Sequence, residues 1–269
     1  MSMTYGFIGA GNMGSALIRA LVKHEAPANV AVSDPSEERV AALCDSLGVK
    51  KSDNETIAST ADYVVLAIKP QVLPDVLPQL RDEFGSNDGM TIVTMAAGTS
   101  METVQELAGG HLPMIRIMPN TPVSIGNGVV LVVRNELVPD IVFEQFCQDF
   151  AAAGILVPLE REELIDAGMS ISGCGPAYVY MYIDAMAKAG EKLGLPRETA
   201  EVLAKATCRG SALLSEQSDQ SLEDLRIAVC SPGGTTIEGV KSLWESDLDG
   251  IVEKALQAAY DRSLELGKK

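Results

Sequence analysis

Apolar residues in the first 160 positions form short runs, and several of the segments between them have helical periodicity. The runs predict strands at residues 5–8, 29–33, 61–68, 90–95, 112–118, 128–134 and 155–159. The periodic segments predict helices at 13–24, 37–46 and 139–153. Since strands and helices alternate and some strands are apolar almost throughout, the pattern indicates an α/β domain on a mostly parallel sheet.

The pattern changes after residue 160, where the charged segment 160–163 follows the last predicted strand. No strand-like run occurs beyond it, and helical periodicity continues to the C-terminus. We therefore predict two domains, residues 1–160 and residues 161–269, of which the second is all-α.

The helix predicted at 176–187 is apolar on every side except for Asp184. Such a helix must be buried all round, and a helical domain of this size cannot easily bury it alone. We predict a homodimer in which this helix packs against its copy. A membrane span is the alternative, but the run is too short, and Asp184 and Lys188 interrupt it.

The first predicted strand leads directly into Gly9-Ala10-Gly11-Asn12-Met13-Gly14 and then into a helix. This G-x-G-x-x-G in a strand–turn–helix context predicts a Rossmann dinucleotide-binding domain. Gly9 permits the tight turn, Gly11 lets the backbone approach a pyrophosphate, and Gly14 lets the helix pack on the strand. A glycine-rich turn without a ligand is the alternative, which the βαβ pattern that follows makes weaker.

Asp34 follows the second predicted strand, where an acidic residue commonly binds the adenosine ribose and favours NAD. Ser33, Ser36 and Arg39 are equally suited to a ribose 2′-phosphate. Asp34 is also an ordinary turn residue before proline. The sequence therefore leaves the choice between NADPH and NADH open.

Small and polar residues follow the next predicted strands, where ligands bind in open α/β sheets. Ala67, Lys69 and Pro70 end the strand at 61–68, Ala97 follows the strand at 90–95, and Asn120 follows the next. All are candidates for cofactor contact. Lys69 is equally consistent with a solvated charge at a helix entry, and Asn120 with a rigid turn between prolines.

A second glycine-rich segment, Ser231-Pro232-Gly233-Gly234-Thr235-Thr236, lies between two helical patterns. Ser231 before proline is an ordinary helix cap, but two glycines followed by two threonines need another explanation. Amides exposed at a helix start hold anions, and Thr235 and Thr236 add hydroxyls, so we predict that this segment binds a carboxylate without lysine or arginine.

The composition of the chain limits the classes of ligand and partner that it can bind. The net charge of −16, with no cluster of lysine and arginine, argues against nucleic acid and anionic membranes. Two histidines and five cysteines without a C-x-x-C pair predict no metal site. The N-terminus has no basic segment before the first strand, and no apolar run could span a bilayer. We expect a cytoplasmic protein with reduced thiols.

Over essentially its whole length the chain resembles pyrroline-5-carboxylate reductases. The resemblance rests on GFIGAGNMG at 6–14, Asn54 before a helix, AIKP at 67–70, AAG at 96–98, MPNTP at 118–122, SGCGPAY at 172–178 and SPGGTTIEGV at 231–240. It implies NAD(P)H-dependent reduction of 1-pyrroline-5-carboxylate to L-proline. It also implies helical domains that interlock as dimers, which can assemble into rings such as a decamer.

The resemblance implies roles for individual residues as well. Gly9–Gly14, Asn54 and 67–70 would hold the cofactor, and 231–236 the substrate, with Thr236 bonding its ring nitrogen. Glu216 lies where the family has an acidic residue near the site. Two positions differ from the family pattern: Ser221-Leu222 replaces a common His-Pro, and Asp34 replaces a small hydroxyl residue.

Reduction of a cyclic imine suits a chain with two histidines, because a protonated imine accepts hydride without a strong general acid. A β-hydroxyacid dehydrogenase or a different imine reductase of the same plan is one alternative. It would need a lysine acid/base, for which the candidates are Lys188, Lys192, Lys205 and Lys241. A non-catalytic NAD(P)H sensor is the other, although a sensor needs no second small-molecule site.

Overall fold

A computed structural model describes residues 3–267 as two compact units. The first comprises residues 3–174 and 259–267, and the second residues 175–258. The strands of the first unit are β1 (Tyr5–Ile8), β2 (Val30–Ser33), β3 (Lys50–Lys51), β4 (Tyr63–Leu66), β5 (Thr91–Thr94), β6 (Met114–Pro119), β7 (Gly128–Arg134) and β8 (Gly154–Pro158). Its helices are α1 (Asn12–Leu21), α2 (Glu37–Leu47), α3 (Asn54–Thr60), α4 (Leu73–Val76), α5 (Arg81–Ser86), α6 (Met101–Ala108), α7 (Asp140–Asp149) and α8 (Leu164–Ser172).

The eight strands form one sheet in the order β3-β2-β1-β4-β5-β6-β7-β8. All neighbours are parallel except β6 and β7, so β7 and β8 run opposite to the other six. This confirms the predicted α/β domain on a mostly parallel sheet. The strand order reverses between β1 and β4, and ligands bind outside the carboxyl ends of strands at such a point.

Two hydrophobic clusters cover the two faces of the sheet. On one face Tyr5 stacks on Tyr63 with ring centroids 4.8 Å apart, and Phe146 and Phe150 pack beside them. The other cluster contains fully buried side chains of β4 and of the helices after β3 and β4, among them Leu66. Burial on both faces explains why the strands are apolar almost throughout.

The aromatic cluster also contains a buried carboxylate. The hydroxyl of Tyr5 donates to the carboxylate of Asp149, which accepts a second bond of 2.7 Å from Nε2 of Gln145. Burial raises the pKa of the Tyr5 phenol well above its usual value, so the phenol stays protonated and remains a donor. The bonds join β1 to α7 and satisfy a charge that would otherwise be costly to bury.

An ion pair between Arg116 and Glu162 holds the chain segment between β8 and α8. Arg116, in the centre of β6, places Nη1 2.6 Å from Oε1 of Glu162, and the same oxygen accepts a 2.8 Å bond from the amide of Met101. The Arg116 side chain is only 4% exposed. Through Glu162, this arginine joins the start of α6 to the chain that enters α8. It therefore steadies the loop of residues 96–100 that follows β5.

The second unit is entirely helical, as predicted. It contains α9 (Gly175–Lys192), α10 (Arg197–Glu216), α11 (Leu222–Val229), α12 (Thr235–Glu245) and most of α13 (Leu248–Gly267). Asp184 of α9 accepts a 2.6 Å bond from Arg197 of α10 and pairs with Lys188. These hydrogen bonds hold the pKa of Asp184 below its usual value, so the carboxylate is ionised at neutral pH.

The boundary between the compact units lies after Cys174, beyond the domain boundary predicted at 160 and 161. Helix α8 packs on β6 and β7, and its Ile165 is fully buried in the core of the first unit. The change in periodicity therefore precedes the end of the compact unit by one helix. The last turns of α13 return to the first unit, where Leu266 packs against Gly98.

No helix within residues 3–267 combines the length and the apolar character that crossing a bilayer demands.

Candidate active site

The three motif glycines differ in how closely the surrounding structure approaches them. Gly9 has φ +112°, and a Cβ on it would lie 2.4 Å from the carbonyl oxygen of Ala67. A Cβ on Gly14 would lie 2.6 Å from the carbonyl oxygen of Gly9. No heavy atom lies within 4 Å of a Cβ built on Gly11. The turn is thus closed at Gly9 and Gly14 and open at Gly11, where a ligand can approach the backbone.

Helix α1 begins at this turn, and no side chain caps its first turn. Gly11 is the N-cap residue, no side chain bonds the first amides, and the first turn contains no acidic residue. Asn12 is exposed and Met13 is half-buried. The amides and the positive end of the helix dipole are therefore free to bind an anionic group such as a diphosphate.

Asp34 lies directly after β2, and its carboxylate is joined to the glycine turn. Oδ2 accepts a 2.7 Å bond from the amide of Ala10, and Oδ1 accepts a 2.8 Å bond from the amide of Ser36. Arg39 lies 3.9 Å away, and the Asp34 side chain is 9% exposed. The residue is both a turn former and a fixed carboxylate beside the dinucleotide motif.

A cleft of about 410 Å³ lies at the carboxyl ends of β1, β2 and β4. Four predicted cofactor residues line it, namely Gly9, Ser33, Asp34 and Asn54. Its other polar lining, which the sequence analysis missed, comes from Glu37, Lys51, Ser52, Asp53 and Glu55. Most of these residues flank β3, a strand of two residues that leaves no hydrophobic pattern, although Asp53 is recognisable as a helix cap.

The remaining predicted cofactor residues follow the strands β4 and β5. Ala67 is half-buried beside Gly9 and Gly14, and Lys69 is exposed where a short 3₁₀ turn begins at Pro70. Ala97 is exposed after β5. Since β4 and β5 are parallel neighbours, these positions share one edge of the sheet with the glycine turn.

Asn120 is buried, and its amide group is already bonded to the backbone. Its Oδ1 accepts a 2.8 Å bond from the amide of Val129, and its Nδ2 donates a 2.9 Å bond to the carbonyl of Ser172. It joins β6 and β7 to the end of α8. This bracing role accounts for the polar residue between two prolines.

In the second unit, the segment 231–236 has the geometry of an anion site. The chain turns at Gly233, which has φ +69°, and α12 begins at Thr235 with Gly234 as an N-cap that no side chain assists. Ser231, Gly233, Thr235 and Thr236 are exposed in the single chain. Open amides and two threonine hydroxyls can together hold a carboxylate and a second polar group.

Two other residues singled out in the sequence, Glu216 and Ser221, lie on the helices that precede this segment. Glu216 is the last residue of α10 and is exposed. Ser221 caps α11, because its Oγ accepts a bond from the amide of Asp224. The Ser-Leu pair that departs from the family pattern therefore begins a helix in the ordinary way.

The lysines considered as acid/base groups are poorly suited to that role. Lys188 pairs with Asp184, Lys205 with Glu201, and Lys241 with Glu238. Each lysine is exposed, and its partner lies three or four residues away in the same helix. Lys192 ends α9 and is exposed. A catalytic lysine usually has a depressed pKa that burial produces, and none of these four is buried.

Across residues 3–267, no group of three or more histidine, cysteine, aspartate or glutamate side chains is arranged to hold a metal ion. The five cysteines are all free thiols.

Two family models match the chain. Residues 162–266 match pyrroline-5-carboxylate reductase dimerisation, and residues 4–98 match NADP oxidoreductase coenzyme F420-dependent. The first match begins one residue after the predicted start of the second domain at 161. The second covers the glycine turn, the cleft and the first residues of the loop after β5.

Relatives match the chain over nearly its whole length. The pyrroline-5-carboxylate reductase of Pseudomonas aeruginosa is 38% identical, over 98% of this chain and 96% of the relative. That of Corynebacterium melassecola is 37% identical, over 98% of this chain and 99% of the relative.

Solved structures match the chain as well. The match to the enzyme from Coxiella burnetii covers 100% of both chains with a TM-score of 0.95 and 32% identity. The Plasmodium falciparum enzyme, solved with NADP bound, has a TM-score of 0.85 and 30% identity over 98% of both chains. The chain therefore belongs to the pyrroline-5-carboxylate reductase family.

Proposed function

We propose that the chain reduces 1-pyrroline-5-carboxylate to L-proline with NADH or NADPH, the last step of proline biosynthesis. The observation that carries the proposal is the pair of uncapped helix starts, each after a glycine turn. The first suits a dinucleotide diphosphate, and the second suits a small carboxylate. The family membership supports this assignment, because the relatives are pyrroline-5-carboxylate reductases.

The proposal assigns the cofactor to the first unit and the imine to the second. The residues proposed for the cofactor are Gly9, Ala10, Gly11, Asn12, Met13, Gly14, Ser33, Asp34, Asn54, Ala67, Lys69, Pro70 and Ala97, with Asn120 as a brace behind them. Those proposed for the substrate are Ser231, Gly233, Gly234, Thr235, Thr236 and Glu216. Backbone amides provide most of the anion binding in both sets, which suits a chain with so few cations.

The chemistry requires little acid–base assistance from side chains. The reduced nicotinamide supplies the hydride, and an imine protonated at nitrogen accepts it at carbon without a further proton donor. The amides at the start of α12 would orient the substrate through its carboxylate. The Thr236 hydroxyl would bond the ring nitrogen and stabilise the amine as it forms. Most of the rate would come from positioning and from the hydrogen bond to nitrogen.

The test of the proposed function is oxidation of NADH and NADPH by the purified protein, measured with and without 1-pyrroline-5-carboxylate. We expect rapid oxidation that depends on the imine and yields proline. Cofactor binding without oxidation by this imine, or by related cyclic imines, would overturn the proposal in favour of a sensor. Turnover of a hydroxyacid but not of the imine would favour the dehydrogenase alternative.

We also propose that the second unit forms a homodimer. Of the residues that the structure describes, none beyond Met169 belongs to either of the two large hydrophobic clusters, so the second unit contributes nothing to them. Its own helices leave large apolar side chains exposed, including Tyr180 (61%), Met181 (71%) and Trp244 (52%). Apolar exposure on this scale marks a protein interface. The match to a dimerisation family over residues 162–266 indicates a second copy as the partner.

Substitution of Met181 by aspartate should separate the dimer, because a charge would then be buried in the apolar interface. The matched control is Ile141→Asp, which puts the same charge at a residue of similar exposure (69%) on α7 of the first unit. We expect light scattering to show a smaller assembly for Met181→Asp alone. Equal masses for both variants and the parent would place the interface elsewhere.

Two further assignments rest on the same proposal. Assembly of dimers into a larger ring, such as a decamer, is expected from the family resemblance, and the mass of the parent protein in light scattering measures it. A cytoplasmic location is consistent with five free thiols, because a reducing compartment keeps cysteines unpaired.

A further inference from the structure

We propose that the cofactor cleft selects NADH over NADPH and that Asp34 is the residue that excludes the ribose 2′-phosphate. This inference rests on the proposed function, since it concerns the reductant of the same reaction. Among the described residues, it follows from the position of one fixed carboxylate and from the charges around it.

Asp34 cannot easily turn away from a bound ribose. Its two oxygens are held by the amides of Ala10 and Ser36 at 2.7 and 2.8 Å, and its side chain is 9% exposed. Each carboxylate oxygen still has a lone pair that can accept a bond from a ribose hydroxyl. A phosphate dianion has no proton to donate, so at the same position it would meet a like charge without a hydrogen bond to offset it.

The rest of the cleft adds to this repulsion. Glu37, Asp53 and Glu55 also line it, and Lys51, the one cationic side chain in that lining, already pairs with Glu37. Bonds from Thr56 hold the pKa of Asp53 below its usual value, so this carboxylate is ionised at neutral pH. A site for a 2′-phosphate normally supplies an arginine or lysine to the phosphate, whereas this cleft supplies carboxylates.

Two of the three groups that could favour NADPH, Ser36 and Arg39, are already engaged. The Ser36 hydroxyl accepts a bond from the amide of Arg39 and caps α2. The Arg39 guanidinium lies 3.9 Å from Asp34 and is 61% exposed, so the carboxylate offsets its charge. An arginine in this setting gains little by exchanging Asp34 for a solvated phosphate.

The test is a binding titration of the full chain with NADH and with NADPH. Binding is monitored by the fluorescence of the nicotinamide, in the absence of any imine. We expect NADH to bind at least about tenfold more tightly, because each factor of ten needs only 1.4 kcal/mol and like charges in contact cost more than this. Titration calorimetry with ADP-ribose and 2′-phospho-ADP-ribose should give the same preference without the nicotinamide. The preference should weaken as ionic strength rises.

The Asp34→Asn variant should reduce the NADH preference by about tenfold, mainly through tighter NADPH binding. The matched control, Glu136→Gln, removes one exposed carboxylate that pairs with His111, outside the cleft. It should leave the preference unchanged. If Asp34→Asn folds poorly, Asp34→Ser gives the same comparison, and thermal melting of each variant shows which to use.

The outcomes separate this inference from the proposed function. Tight NADPH binding by the parent, equal to or better than NADH, overturns the NADH preference and leaves the reductase proposal intact. An unchanged preference in both Asp34 variants overturns the role of Asp34. Failure of both dinucleotides to bind overturns the proposed function and this inference with it.

Discussion

Replacing Gly11 by alanine should remove tight cofactor binding and leave the stability of the protein unchanged. A Cβ on Gly11 has no heavy atom within 4 Å, so nothing in the fold opposes the substitution. Its backbone has φ −66° and ψ −178°, which alanine adopts without strain. The new methyl group would instead occupy the space through which the diphosphate reaches the amides of α1. We expect both NADH and NADPH to bind at least about tenfold more weakly, a cost of 1.4 kcal/mol or more.

The neighbouring Gly9→Ala variant should behave differently. Its Cβ would meet the Ala67 carbonyl oxygen at 2.4 Å in a left-handed backbone conformation, so the fold itself must shift. Strain of this kind costs about 1–3 kcal/mol before any overlap is added. Gly85→Ala in α5 is the control, because its Cβ is also free of neighbours but lies outside the cleft.

Three measurements decide the comparison: urea unfolding, thermal melting and a cofactor titration on each variant. Gly9→Ala should lose stability and binding, Gly11→Ala binding alone, and Gly85→Ala neither. Undiminished cofactor binding by a folded Gly11→Ala protein would show that the diphosphate does not approach at this turn.

The geometry at these glycines also shows what the sequence can predict. The approach of a pyrophosphate at Gly11 stays a prediction. The close approaches at Gly9 and Gly14 involve neighbours close in the chain or on one adjacent strand, so the motif and its context were sufficient to predict them. The same holds for the strand at 128–134, whose predicted bounds agree with β7. Its reversed direction was not predicted. The short connection between β6 and β7 could have indicated it, because a crossover to a parallel strand needs a longer connection.

Elements that depend on distant residues were harder to predict. Strand β3 consists of Lys50 and Lys51 alone, and its pairing with β2 at the sheet edge leaves no apolar pattern. Asn120, predicted either to contact the cofactor or to form a rigid turn, bonds the carbonyl of Ser172, which is 52 residues away. No local pattern could reveal such a partner.

The helical unit shows a third kind of limit. The sequence predicted that the helix at 176–187 must be buried all round, yet the single chain leaves Met181 and Tyr182 exposed. The prediction concerns an assembly, and a single chain contains only half of the proposed interface. Asp184 illustrates the difference, because it finds its partner, Arg197, within the same chain.

The second large effect is expected at Thr236, the proposed hydrogen-bond partner of the substrate nitrogen. The Thr236→Ala variant should lower kcat/KM for the imine by about a hundredfold, the usual cost of losing one hydrogen bond to charge that changes in the transition state. The fall should appear mainly in kcat, since the carboxylate would still bind the amides at the start of α12. Cofactor affinity should be unchanged, because the cofactor residues belong to the first unit.

Folding is not expected to confuse this result. Gly234, not a threonine side chain, is the N-cap of α12, and Thr236 is exposed in the first turn. Alanine is a better helix former than threonine, so Thr236→Ala should melt no earlier than the parent. The matched control is Thr236→Ser, which keeps the hydroxyl and loses only the methyl group.

Three kinetic outcomes are informative. Near-parental turnover by Thr236→Ser with a large loss in Thr236→Ala assigns the effect to the hydroxyl. Equal losses in both variants would point to the methyl group and to packing of the substrate ring. Unchanged turnover in Thr236→Ala would remove Thr236 from the mechanism. In that case positioning by the amides of 233–235 would have to supply most of the rate, and the side chains left to bond the nitrogen would be those of Ser231, Thr235 and Glu216.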